Sequence, residues 1–147
     1  MNQDKQEGAL VPAIADLFTW TEDGVHLMGA KCELCGTFFF PMYHEQHRPG
    51  CSRQKIKKVL LSKEGKLESY TIQYYMPPPP FKTERDITPF AIGLVEFPEG
   101  IQVTGMVTDC PLDELKIGLV METTTFKLYR DDKGQDVVTW AFRPINK

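Results

Sequence analysis

The chain has 147 residues, of which 41% are hydrophobic and 25% charged; this is the composition of a folded domain, not of a disordered chain. Its net charge of −3, from 17 basic and 20 acidic residues, argues against a general nucleic-acid binder, which carries a basic excess. No apolar run approaches the ~18 residues that would cross a bilayer, and the polar stretch Met1 to Gly8 lacks the apolar centre of a signal peptide, so a cytoplasmic protein is expected.

In chain order, residues 1–8 read as a frayed tail. Pro12 then opens the segment VPAIADLFTW. Proline suits a first helical turn, where its missing N–H would have no partner. Ile14, Leu17 and Phe18 follow at i, i+3 and i+4, which predicts a short helix with one apolar face. Asp23-Gly24 marks a turn and Val25 to Ala30 a strand. Beyond the cysteine-rich stretch, Val59-Leu60-Leu61 and Leu67 to Tyr75 read as strands across a Glu64-Gly65 hairpin turn. Pro77 to Pro80 make a stiff extended arm. Tyr74, Tyr75, Met76 and Phe81 flank it, suited either to a core or to a partner's surface. Phe90 to Phe97, Ile101 to Thr108, Val120 to Tyr129 and Asp136 to Phe142 are further strands, with one helical turn expected at Asp113 to Leu115. About five or six strands at this spacing, with little helix, predict a small closed β-barrel. The fold class is therefore mainly β. The expected boundaries are 1–20 for the tail and helix, 21–56 for a Cys/His module and 57–147 for the barrel.

The chemistry concentrates in KCELCGTFFFPMYHEQHRPGC. Cys32-x2-Cys35-Gly36 has the form of a zinc knuckle: two thiolates at this spacing reach one ion from a tight turn, and Gly36 permits the positive φ that turn needs. A ribbon requires a second pair of ligands. Cys51 supplies one member; three residues on stands Gln54, a poor zinc ligand. His47, four residues before Cys51, is a good one. The expected set is Cys32, Cys35, His47 and Cys51, with His44 as the competing fourth ligand. Four protein ligands leave no open position, so the zinc is expected to be structural. Such a site supplies ~10–16 kcal/mol of apparent binding energy, ample for a module with almost no core. A thioredoxin-type redox role for Cys32-x2-Cys35 lacks the surrounding βαβ pattern.

The other candidates have plainer readings. Cys110 lacks a recognisable base and reads as a small barrel residue. His26 lies in an alternating strand and reads as surface or half-buried. Arg53, Lys55, Lys57 and Lys58 form a basic run suited to solvent or, as the competing function, to single-stranded nucleic acid against barrel aromatics. Of Phe38, Phe39 and Phe40, one or two are expected to cover the metal and the third to face the barrel or a partner. No Ser/His/Asp order and no paired-carboxylate spacing stands out, so no catalytic residue is assigned.

The stretches DGVHLMGAKCELCGTFFFP, SYTIQYYMPPPPF, PFAIGLVEFPEGIQVTGMVTDCPLDELKIGLVMETTTF and WAFRP, in that order, resemble the zinc-ribbon/OB-fold proteins associated with acyl-CoA enzymes, catalogued as domain-of-unknown-function family thirty-five. The likeness runs from about Leu17 to Pro144. It implies an N-terminal helix, a rubredoxin-like zinc ribbon and an OB-fold barrel. It further implies a partner: a thiolase-like catalytic subunit that cleaves a β-ketoacyl-CoA with coenzyme A, or alternatively an acyl-CoA hydratase or retro-aldolase. The catalytic residues would belong to that partner, and acyl-CoA would bind near the subunit border. This sequence departs from the family at the second metal pair, where the usual second C-x2-C is replaced by His47 and Cys51.

Overall fold

The computed structural model describes residues 9–45 and 47–145; the expected tail over residues 1–8 lies outside them. Ten strands and one short 3-10 turn make up the described chain. Strands β6 (Glu64–Gln73), β7 (Phe90–Glu96), β8 (Gln102–Val107), β9 (Val120–Arg130) and β10 (Asp136–Pro144) pair in the order β10-β8-β7-β6-β9. β9 and β10 also pair with each other, which closes the ring. The β8–β10 pairing is parallel and the other four are antiparallel, which gives the five-stranded OB-type barrel. A second sheet holds β2 (Phe18–Thr21), β3 (Gly24–Cys32), β4 (Phe38–Phe39) and β5 (Ile56–Leu60), with β3 pairing all three others.

Alternation fixes what faces inward. On β7, Ala91, Gly93 and Val95 are buried while Ile92 and Leu94 are half-exposed, the period-2 signature of a strand with one buried face. One continuous core joins the two sheets. Leu17, Phe18, Val25, Leu27 and Leu61 from the first part of the chain pack with Leu67, Val95, Phe97, Met121, Val138 and Phe142 of the barrel.

The expected N-terminal helix does not form; among the described residues the only helical segment is the 3-10 turn Leu112–Glu114, at the place where one helical turn was expected. Leu10–Pro12 is instead an edge strand, β1, parallel to β10. Proline ends that strand without cost, since edge positions tolerate a missing donor. Asp16 has φ +68, which no helix accepts. Leu17 then gives its carbonyl to the Met28 N–H at 2.8 Å. Leu17 and Phe18 are each 4% exposed and Ile14 is 60% exposed, so the apolar spacing serves a strand entry and not a helical face. Pairing with β10 and β3 outweighs the local period, as tertiary contacts often do.

The Glu64-Gly65 hairpin turn is also replaced. β5 pairs with β3, not with β6. The chain crosses between sheets at Leu61 to Lys63, anchored by the fully buried Leu61 and by the Ser62 N–H donating to Glu99. Gly65 lies inside β6, where a Cβ would meet the Glu96 carbonyl oxygen at 2.5 Å and Val95 Cγ1 at 2.7 Å. Glycine is there for close approach of a neighbouring strand. Gly65→Ala is therefore expected to destabilise the barrel by about 1–3 kcal/mol through overpacking, read as a lowered denaturant midpoint at unchanged slope.

Barrel closure also carries an ion pair. Glu122 on β9 stands opposite Arg143 on β10, with Arg143 Nε donating to Glu122 Oε2 at 2.8 Å and Lys63 Nζ lying 3.4 Å from Oε1. The Arg143 guanidinium holds the Glu122 carboxyl below its ordinary value of 4.5. A carboxyl depressed on folding adds stability above its ordinary value and loses it as pH falls through the depressed one. Glu122→Gln is thus expected to cost about 1 kcal/mol at neutral pH. That gap should close as the pH drops below 4.5; a gap that stays constant under acid urea titration would overturn the assignment.

Candidate metal centre

Cys32 ends β3, and its turn is built by local hydrogen bonds: the Gly36 N–H donates to the Cys32 carbonyl at 2.7 Å and the Cys32 N–H to the Thr37 carbonyl at 2.9 Å. Gly36 has φ +76, the conformation that favours glycine. The second arm turns likewise. The Cys51 N–H donates to the Arg48 carbonyl at 3.1 Å, Gly50 has φ +82, and the Arg53 N–H points at Cys51 Sγ from 3.4 Å.

The two turns bring Cys32, Cys35, His47 and Cys51 together, each offering one donor atom, all within 4.8 Å of one another. Cys32 Sγ and Cys51 Sγ are 3.4 Å apart, and Cys35 Sγ lies 3.7 Å from His47 Nδ1. His44, the competing ligand, is exposed and stacks edge-on with Tyr43. Phe39 packs over the group with Ala30 and Met42, while two rings, Phe38 and Phe40, and not the single one expected, pack against the main core.

The surroundings favour the thiolate at two of the four positions and the protonated form at the other two. The Cys35 thiol is lowered to about 5, first by the Thr37 side chain and next by the Arg48 backbone N–H. Cys32 is lowered too, chiefly by the Cys35 N–H. For Cys51, the Arg53 N–H favours the thiolate, but burial and the neighbouring sulfurs outweigh it and push the thiol up. His47 is raised, chiefly by Cys35. Sulfur and imidazole donors converging from two tight turns can hold a metal ion, and this donor set matches a thiophilic divalent ion in tetrahedral coordination. The polar groups around the donors were not read from the sequence: Thr37 beside Cys35, the Arg48 and Arg53 N–H groups, and Glu45 Oε1 at 3.1 Å from His47 Nε2. Two of them are backbone donors, which carry no residue identity, and Thr37 and Glu45 belong to no ligand spacing.

The remaining candidates fall elsewhere. Cys110 Sγ lies 3.4 Å from the Pro111 carbonyl oxygen, and burial pushes its thiol up, the reverse of an activated nucleophile. His26 is half-buried, with Nδ1 2.8 Å from the Leu61 carbonyl oxygen and Nε2 2.9 Å from Asp23. Arg53, Lys55, Lys57 and Lys58 are all exposed, with Lys57 3.7 Å from Glu33. Phe81 joins a second apolar cluster around Phe90, Met106 and Ala141. Tyr74 and Tyr75 are 67% and 81% exposed.

Residues 58–126 match the family described as ChsH2, C-terminal OB-fold domain. A DUF35 domain-containing scaffold protein of Methanocaldococcus jannaschii is 30% identical over 122 residues, covering 81% of this chain and 82% of its own. The chain belongs to the DUF35 family. Its relatives include the benzoylsuccinyl-CoA thiolase subunit BbsA of Thauera aromatica, 25% identical over 132 residues, with 88% of this chain and 85% of BbsA covered. Among solved structures, the Ltp2-ChsH2(DUF35) aldolase superposes with a TM-score of 0.61 at 23% identity over 81% of this chain and 84% of that one; the likeness is one of fold. The DUF35 identification made from the motifs stands, and so does the OB-type barrel.

Cobalt(II), which tolerates the same tetrahedral donors, gives a direct check. The full chain is expected to bind one ion with sulfur-to-metal charge-transfer absorption, and binding should strengthen as pH rises, because the ion displaces the protons of His47 and Cys51. His47→Ala is expected to weaken binding strongly. His44→Ala should leave it unchanged.

Proposed function

We propose that this chain is a non-catalytic accessory subunit of a thiolase-type acyl-CoA enzyme, carrying a structural zinc on Cys32, Cys35, His47 and Cys51. The complex would cleave a β-ketoacyl-CoA with coenzyme A, with benzoylsuccinyl-CoA the substrate that the BbsA relation suggests. It would work in the cytoplasm, whose reducing conditions keep a thiolate cluster free of disulfides. The end-to-end likeness to a thiolase subunit carries this reading. The chemistry supports it: the donor set has four protein ligands, which leaves no position for substrate, and Cys110, the cysteine outside the set, has a raised thiol.

The chain's part is mechanical. Zinc fixes the ribbon, and the ribbon and barrel present their surfaces to a catalytic subunit that supplies the reacting groups. Tyr74 and Tyr75 at the head of the proline arm offer large amphipathic contact area, the kind enriched at protein interfaces. An aldolase as partner is the second reading, raised by the aldolase complex that shares the fold. It stands behind the first because likeness at that identity concerns fold alone.

The test is purification of the tagged chain from its native host. The expected outcome is a stoichiometric complex with a thiolase-like protein that performs CoA-dependent cleavage of a β-ketoacyl-CoA, with activity lost when this chain is omitted. A complex with an aldolase would favour the second reading. A partner that turns over at an unchanged rate alone would overturn the accessory role, and tight, salt-steep oligonucleotide binding would point to nucleic acid.

A further inference from the structure

His47 is the ligand that sets this ribbon apart from a two-knuckle one, and an imidazole poses a question that a thiolate does not: which nitrogen meets the ion, and what holds the other. The His47 side chain is only 2% exposed, so both nitrogens must find partners within the protein. Nδ1 faces the sulfurs, 3.7 Å from Cys35 Sγ. Nε2 faces away from them, 3.1 Å from Glu45 Oε1. The ring leans on Phe39, centroids 5.8 Å apart at 55°. A half-turn of the ring about Cβ–Cγ would exchange Nδ1 with Cδ2 and Nε2 with Cε1, setting carbon against both polar groups; the hydrogen-bonding surroundings select the orientation found.

We propose that His47 binds its metal through Nδ1 and that Glu45 is the positioning residue that makes this so. The inference rests on the metal reading above and adds to it a ligating atom and an outer partner. Glu45 is an acceptor only, so it selects the tautomer with the proton on Nε2 and leaves the Nδ1 lone pair free for the ion. Its charge also raises the basicity of the imidazole, which strengthens the bond to a cation. Glu45 reaches the ring from two residues before His47 in the sequence.

The test uses the full chain labelled with 15N-histidine and loaded with zinc. Long-range 1H–15N correlation is expected to show His47 with Nδ1 at a metal-bound shift and Nε2 carrying the proton. Competition with a chromophoric chelator is expected to show zinc affinity lowered 10–100-fold in Glu45→Ala. Glu45→Gln keeps an acceptor oxygen and should fall between that variant and the parent. The cobalt charge-transfer bands should be unchanged in Glu45→Ala, which separates loss of positioning from loss of fold, since the three thiolates stay in place. Ligation through Nε2, or a Glu45→Ala variant with parental zinc affinity, would overturn this inference and leave the metal reading intact. Failure of the parent chain to take up zinc would overturn both.

Discussion

The ribbon depends on four donor atoms gathered from two turns, because almost nothing else holds its tip. Among the described residues, the apolar cluster around the ligand group has only Ala30, Cys32 and Phe39 buried, far too little apolar area to order two arms against the entropy of a free chain. The root of the same hairpin is held by ordinary burial. Leu27 and Leu61 are fully buried in the barrel core and joined by a backbone bond of 2.9 Å. The sheet around β3 is thus held at its root by the hydrophobic effect, and at its tip it gathers four donor atoms that could hold a metal ion.

What the sequence disclosed follows this division. Elements whose residues answer to a short-range chemical rule were legible: the Cys32–Cys35 turn with Gly36, and the strands read over Phe90 to Phe97, Ile101 to Thr108 and Val120 to Tyr129. The metal group was legible because thiols and imidazoles have few other reasons to crowd together. Positions 10–21 misled because Ile14, Leu17 and Phe18 fit a helical period by spacing alone, while the deciding facts are remote: a free edge on β10 beside Leu10–Pro12, and Met28 bonding to Leu17. Glu64-Gly65 misled for a related reason. Glycine signals a turn in isolation, yet here it makes room for the backbone of β7.

The barrel and ribbon together leave a surface whose character fits the accessory reading. Tyr74, Tyr75, Leu34 and Tyr43 are all at least half exposed. Single exposed hydrophobics need no explanation, but these lie on the proline arm and within the two arms of the metal group. Proline restricts the first of these segments, and the second carries the four side chains that could hold a metal ion. Rigid display lowers the ordering cost of association. A chain whose work is to hold another polypeptide gains from placing its aromatic side chains there.

Replacing a thiolate by His47 changes the charge that the ribbon tip must carry. A divalent ion with four thiolates leaves a site at −2; with three thiolates and a neutral imidazole it leaves −1. The lost charge weakens the attraction for the cation, and an imidazole that can rotate or tautomerise adds a geometric uncertainty that a sulfur does not have. Glu45 answers both. Its carboxylate sits 3.1 Å from the far ring nitrogen, so it returns a negative charge to the neighbourhood on the other side of the imidazole ring from the proposed ligating nitrogen. It also fixes which nitrogen is free. On the proposal above, His47 and Glu45 act as a pair, an imidazole and the carboxylate behind it.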